Sequence, residues 1–374
     1  MKRLICCFDG TWNDDRSEAA LTNVVRLRRV IPEAGSDGVK QLVRYVIGIG
    51  TGYQGKTAFL IGASGIEVGD RIRAGYRFLV DHYEPGDEVY LFGFSRGAFE
   101  ARSLAGFIGR IGMAIRCSPF SIEDAWTVYR DPDNPTNKSL VQRLREMTFG
   151  PIPIKCIGVW DTVGNIGNPF DADGLIGKYV SFHDTRLGPS VEVGLHALSI
   201  DEQRGPFRPA FWTLPQGAAA PQGQHIEQVW FSGSHADVGG GYADAALSGI
   251  SLNWMAERVA ALTPLRFDFA QLRATSRPDS LGQQHSSSAS GIFKWSGKVP
   301  CVRLIRQDLN GVSPLRRAIF GGWRTSKTDR GEVPANEAIH PSVLARFGQE
   351  VTEDVAGEIR RFVYRPRNLA AALR

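Results

Sequence analysis

The sequence predicts an α/β fold, a mostly parallel central sheet with helices on both faces. Three observations predict it. Short apolar runs recur at 4–8, 42–47, 89–94, 154–160 and 229–231, rich in Val, Ile and aromatics, as strands buried on both faces must be. Helical patterns lie between them, and strands alternating with helices close into a parallel sheet covered on both sides. The chain of 374 residues, 43% hydrophobic and 22% charged, has the ordinary balance of a globular protein with one large core.

In chain order, the first run ends in the turn Asp9-Gly10-Thr11. Residues 23–31 follow as a helix with Asn23 as its N-cap. After the strand at 42–47 comes a Gly-rich stretch, then a helix over 67–83 closed by Glu84-Pro85-Gly86. The strand at 89–94 runs directly into a helix over 97–111. A helix over 139–147 precedes the strand at 154–160. Residues 191–198 read as a helix with His196 in its middle, and the strand at 229–231 leads to a helix over 251–262. Beyond residue 262 the pattern thins. The Ser/Gln-rich stretch 276–290 reads as a mobile loop, 299–305 as a late strand, 340–347 as a short helix opened by Pro341, and the basic stretch 360–374 as a tail. The division expected is a catalytic domain over 1–262 and a C-terminal extension over 263–374 packed on the same domain. The stretches 113–149 and 165–181 are the lid candidates.

Charge and cysteine content exclude several classes. A net charge of +5, with no Lys/Arg cluster, zinc-finger or RNP pattern, argues against nucleic acid as a partner. It supports at most a weak preference for anionic substrates or transient contact with an anionic membrane surface. Five cysteines are odd in number and lack metal-ligand spacing, so neither a disulfide framework nor a metal or other cofactor is expected. The N-terminus has no apolar stretch long enough for a signal peptide, and no apolar window approaches the roughly 18 residues of a membrane span. A soluble cytoplasmic protein is expected; the oligomeric state is open.

The sharpest motif is Gly93-Phe94-Ser95-Arg96-Gly97. It sets G-x-S-x-G directly after a buried strand and before a helix, the context of a nucleophile elbow. The turn lifts the Ser95 hydroxyl clear of the sheet and aims the Arg96 N–H, backed by the positive helix end, at a developing oxyanion. A second donor is expected from the loop after the first strand, at Gly10 or Thr11, with Asp9 capping that loop through its side chain. A serine hydroxyl needs a base, and the base needs an orienting carboxylate, in the order Ser, Asp/Glu, His. Two later strand ends offer them: Trp160-Asp161-Thr162 and Gly233-Ser234-His235, the second shortly before Gly239-Gly240-Gly241. Parallel strands end on one edge, so Ser95, Asp161 and His235 converge there. The competitors are His183, His196 and His340 as base, and Asp184, Asp201 and Asp237 as orienter. His82, His225 and His285 sit upstream or in polar loops.

Many of these residues also resemble a known family. Phe8-Asp9-Gly10-Thr11-Trp12-Asn13, Gly48-Ile49-Gly50-Thr51-Gly52, Gly93-Phe94-Ser95-Arg96-Gly97-Ala98 and Val159-Trp160-Asp161-Thr162-Val163-Gly164 are similar to the DUF2235 family of bacterial and fungal α/β-hydrolases. So are Phe182-His183-Asp184-Thr185, His196-Ala197-Leu198 and the run from Trp230 through His235 to Tyr242. The resemblance covers about residues 3 to 260. The family contains type VI secretion lipase effectors that look like phospholipases with a Ser-Asp-His triad. Carried onto the matching motifs, that triad is Ser95, Asp161 and His235, and the resemblance implies an esterase or lipase acting on a small-molecule or lipid ester, with export by a specialised secretion system open to it. The effectors carry additional membrane-docking or partner-binding segments, and this chain shows no counterpart of them, so a phospholipid substrate and an effector role are less firmly implied.

Two rival chemistries and one non-enzyme reading fit the sequence less well. Gly50-Thr51-Gly52-Tyr53-Gln54-Gly55-Lys56-Thr57 matches the P-loop pattern after an apolar strand. The helix that should begin at Lys56 is interrupted by Gly62, Gly65 and Gly69, each costing about 1 kcal/mol, and 42 Gly make a chance match unsurprising. A dehalogenase-type phosphatase needs a nucleophilic Asp two positions before Asp9, where Cys7 stands. A non-catalytic binding protein of this fold would lack a triad residue, and all three are present.

Overall fold

The computed structural model describes residues 1–10, 20–48, 65–131, 134, 137–163, 186–204, 207–287, 302–303, 305 and 332–373. The strands are β1 (Arg3–Phe8), β2 (Gln41–Val46), β3 (Glu88–Phe94), β4 (Ile154–Trp160), β5 (Val191–Ser199), β6 (Thr213–Pro215), β7 (His225–Phe231), β8 (Gln284–His285), β9 (Glu332–Pro334), β10 (Glu337–Ile339), β11 (Glu350–Val355) and β12 (Glu358–Val363). The helices are α1 (Asn23–Arg29), α2 (Gly65–His82), α3 (Arg96–Ile111), α4 (Ile122–Arg130), α5 (Lys138–Glu146), α6 (His235–Gly239), α7 (Ala246–Leu262), α8 (Phe269–Thr275), α9 (Pro341–Arg346) and α10 (Arg367–Ala372).

Seven strands form one sheet in the order β10-β7-β5-β4-β3-β1-β2, and every neighbouring pair is parallel. Although β1 is buried along its whole length, its side chains still divide by the strand period. Leu4, Cys6 and Phe8 join the core under α2, α3 and α4, whereas Ile5 and Cys7 join the core under α1, α7 and α8. A third cluster, around Leu198, Trp230, Val343, Val351, Tyr364 and Leu369, joins the C-terminal elements to the sheet.

Several expectations are corrected. Residues 191–198 form β5, not a helix. Val191, Val193, Leu195 and Ala197 alternate with Glu192, Gly194 and His196, a period of two that suits a strand, and pairing between β4 and β7 fixes it. Thr22, not Asn23, caps α1: its hydroxyl accepts from Val25 N. Asn23 is buried and donates through Nδ2 to the carbonyls of Val238 (2.9 Å) and Ser248 (2.8 Å), stapling α1 to α6 and α7. The stretch read as a mobile loop is pinned over 276–287, where Ser276, Gln284 and Ser287 are buried and β8 pairs with β11. The stretch read as a tail contributes β12 and α10, with Tyr364 and Leu369 buried. Of the expected strand at 299–305, residues 302, 303 and 305 lie in no strand, and the others fall outside the described residues.

The lid candidate at 113–149 carries α4 and α5. Its two ends are tied together by Met113 N to Gly150 O and Phe149 N to Met113 O, at the end of α3 remote from Ser95. The candidate at 165–181 and the P-loop-like stretch 50–57 lie outside the described residues.

Candidate active site

The sheet order places a switch point between β1 and β3. From β1 the chain moves to β2 on one side and then returns to build β3 on the other, so the loops leaving β1 and β3 diverge and open a crevice. Ser95 stands at that point. Its backbone has φ 57° and ψ −120°, a conformation that costs a non-glycine residue about 1–3 kcal/mol. Serine at a helix N-cap ordinarily spends its hydroxyl on the first amides; the Ser95 hydroxyl makes no capping bond to α3. The flanking glycines are explained by contact. A Cβ on Gly97 would stand 2.3 Å from Phe8 O, and one on Gly93 2.3 Å from Gly97 O, so helix, turn and β1 meet backbone to backbone.

The orienting carboxylate follows β4. Asp161 is wholly buried, with φ 40°, and its N–H donates to Ala197 O at 2.7 Å. His235 opens α6 just after β7, in a turn closed by the reciprocal Ser234–Asp237 capping box. Its Nδ1 meets Asp161 Oδ2 at 2.5 Å. With Nδ1 donating to the carboxylate, Nε2 is left as the basic nitrogen. The ring lies 4.6 Å from the ring of Phe94, the residue before Ser95, and edge-on to Phe207 at 4.9 Å. Ser95 and His235 share no hydrogen bond among the described residues; what brings them to one edge is the register of β3 beside β4 and the packing of α6 on Phe94.

Burial lowers the basicity of His235 more than Asp161 raises it, so the imidazole titrates below its ordinary value. Burial also works against ionisation of Asp161, but Arg303 and His235 more than offset it and hold the carboxyl below the usual range.

The competitors are placed elsewhere. His196 lies inside β5, where its Nε2 accepts from Thr162 N at 3.1 Å and burial depresses its pKa to about 3. His340 caps α9 and stacks on Phe231. His285 Nδ1 pairs with Asp237 Oδ1 at 2.6 Å, and His225 pairs with Glu227. Asp201 accepts from Gly233 N and the Tyr364 hydroxyl, not from His235. His183 and Asp184 lie outside the described residues. Of the two expected oxyanion donors after β1, Gly10 N–H is turned onto Asp9 Oδ1 at 2.7 Å and is engaged within its own loop, while Thr11 lies outside the described residues. The other Asp9 oxygen accepts from Thr22 Oγ1 and the Tyr45 hydroxyl. Arg96 N is the first amide of α3, where the helix itself supplies no acceptor.

The region from β1 to α7 that builds this edge, residues 2–258, matches a family model described as the type VI secretion phospholipase effector Tle1-like catalytic domain. The chain belongs to that family. The description of that family names phospholipase effectors. The chain is 29% identical over 234 residues to the uncharacterised protein YEL023C of Saccharomyces cerevisiae, spanning 57% of this chain and 33% of that protein. Among solved structures, an uncharacterised protein from Pseudomonas aeruginosa shares 18% identity over 74% of this chain and 49% of its own, with a TM-score of 0.44. The Tle1 effector bound to the VgrG spike of the type VI secretion system shares 17% over 64% and 51%, with a TM-score of 0.35. The chain thus spans a third of its curated relative and about half of each solved chain.

Sequence reasoning missed three residues around this candidate site. Arg303 grips Asp161 from the C-terminal region, where nothing local marks it beyond an arginine in an apolar run. Glu202 accepts from His235 N at 3.3 Å and holds Arg204, whose guanidinium lies over Phe207. Among the described residues no group of three or more His, Cys, Asp or Glu could hold a metal ion, and no helix is long and apolar enough to cross a membrane.

Proposed function

We propose that the protein hydrolyses a carboxylic ester of a lipid through a Ser95-His235-Asp161 triad and an acyl-enzyme. The observation that carries this reading is the His235–Asp161 hydrogen bond at the sheet edge where the elbow presents an uncapped serine hydroxyl. Ser95 Oγ attacks the ester carbonyl carbon while His235 Nε2 takes its proton. The tetrahedral oxyanion faces Arg96 N–H and the loop after β1, where Thr11 is the remaining proposed donor. Collapse breaks the bond to the alcohol, which leaves with the proton from His235. Water, deprotonated by the same imidazole, then releases the acid and restores Ser95. Asp161 holds the imidazole in the Nδ1–H tautomer and stabilises the imidazolium that forms twice per cycle.

The test is a series of p-nitrophenyl esters of rising chain length beside phospholipid vesicles, with a fluorophosphonate probe. Wild type should hydrolyse esters and be labelled at Ser95, and Ser95→Ala should lose both. Labelling that persists in Ser95→Ala removes the assignment. Hydrolysis that depends on added nucleotide and vanishes in Lys56→Ala would favour the P-loop chemistry instead.

A further inference from the structure

We propose that Arg303, supplied by the chain beyond the family-matched region, is a positioning residue that locks both the carboxylate and the aromatic wall around His235. The inference rests on the triad reading above.

Arg303 and Asp161 form a fork-to-fork pair: Nη1 to Oδ1 at 2.6 Å and Nη2 to Oδ2 at 3.0 Å, with neither side chain exposed. The same guanidinium reaches on, Nη1 to Ser199 O at 2.8 Å and Nη2 to Phe207 O at 2.6 Å. Ser199 N in turn donates to Asp161 Oδ1 at 3.0 Å. Asp161 therefore receives His235 on one oxygen while Arg303 and Ser199 fix the plane of its carboxylate. Through Phe207 O, Arg303 also anchors the residue whose ring stands edge-on to the imidazole. One buried side chain thus sets two of the surfaces that hold the base.

Elsewhere such a pair would be read as structural, but two facts argue otherwise. A buried carboxylate bonded to one neutral imidazole would meet a large desolvation cost; a bidentate cation keeps it ionised at the atom that faces the base. The family match ends at residue 258, so residue 303 closes onto the site from outside the matched unit. The charged groups facing His235 are Asp161, Glu202 and Arg204, with Glu202 and Arg204 paired to each other. Arg303 acts through Asp161. It takes up part of the carboxylate's charge, so the imidazolium is less favoured and the base stays unprotonated to lower pH.

The experiment uses the full chain as wild type, Arg303→Gln and Arg303→Lys, each checked for folding by thermal melting. In Arg303→Gln the acid limb of kcat/KM should move to higher pH by about one unit, kcat should fall about tenfold or more, and KM should change little. A nitrogen-15 NMR titration of the His235 ring, which needs no substrate, should show the same upward displacement. Arg303→Lys keeps the charge without the fork, so its His235 titration should stay near wild type while kcat still falls. If Arg303→Gln does not fold, the lysine variant carries the test, and wild-type kcat in it overturns the orienting role. An Arg303→Gln variant with wild-type kcat and an unmoved His235 titration also overturns the proposal, as does a loss confined to KM. If wild type hydrolyses no ester and Ser95 resists the probe, the triad reading fails, while the NMR titration still reports whether Arg303 and His235 are coupled.

Discussion

Ser95 holds a backbone conformation that a non-glycine residue rarely adopts. The φ of 57° with ψ of −120° costs about 1–3 kcal/mol, against roughly 1 kcal/mol of extra unfolded-state freedom that a glycine would bring. Ser95→Gly should therefore be inactive yet at least as stable as wild type, and more stable than Ser95→Ala, which keeps the strain. Denaturant melts of the three proteins decide it, and a Ser95→Gly variant clearly less stable than Ser95→Ala would show that the turn is unstrained. At Asp161, replacement by Asn leaves the fold near intact but offers Nδ1 the wrong partner, so activity should fall steeply, by up to about 10⁴, with the protein still folded by circular dichroism. His235 is held below its ordinary value by burial, so the acid limb of kcat/KM should lie below about pH 6.5. A limb above that value would mean the imidazole is better solvated than its surroundings indicate.

Among the elements, α3 separates close approach from helix propensity within a single helix. At Gly97 an added Cβ meets the carbonyl oxygens of Phe8 and Asp9 at 2.3 and 2.5 Å, backbone atoms that cannot turn aside. At Gly109, three turns further along, the only contact among the described residues is Ser190 Oγ at an ordinary 3.6 Å. Gly97→Ala should therefore cost about 3 kcal/mol or more, or prevent folding. Gly109→Ala should stabilise by about 0.5–1 kcal/mol, because alanine loses less backbone freedom in a helix interior. Thermal melts of both variants read the two signs. Equal effects would place the constraint in helix propensity and not in the meeting of α3 with β1.

For the whole molecule, acid stability is set by buried groups that oppose one another. Burial depresses His196 to about 3, so its contribution is present above its unfolded value of 6.5 and is lost as pH falls below it. Asp201, enclosed where the C-terminal Tyr364 reaches the sheet edge, is raised by burial to about 7. Its contribution is present below its unfolded value of 3.8 and is lost as pH rises towards 7. Between those unfolded values the unfolded chain binds the proton of His196 while the folded chain binds that of Asp201, and the two slopes cancel. Asp201→Asn removes one of them. Across that window its stability should rise with pH more steeply than wild type, by about 1.4 kcal/mol per unit. Urea melts at several pH values test this, and parallel pH profiles for the two proteins would place the Asp201 proton elsewhere.

The sequence by itself determined the sheet strands whose residues are buried on both faces, because uniform apolar runs beside turn residues leave little else for them to be. It also marked the elbow, since Gly93, Ser95 and Gly97 answer to a local backbone geometry that any fold placing a helix after that strand would impose. The ends of β4 and β7 were legible for the same reason: parallel strands share an edge, so Asp161 and His235 could be paired from topology before any contact was seen. Tertiary structure alone decided the rest. Residues 191–198 became β5 because β4 and β7 pair on either side of them, a partnership that a run of eight residues cannot announce by itself. Thr22 displaced Asn23 as the cap because the Asn23 amide is claimed by Val238 and Ser248, more than two hundred residues away. The grip of Arg303 on Asp161 across 142 positions leaves no trace in local pattern, since a bidentate ion pair depends on where two side chains arrive and not on what surrounds either in the chain.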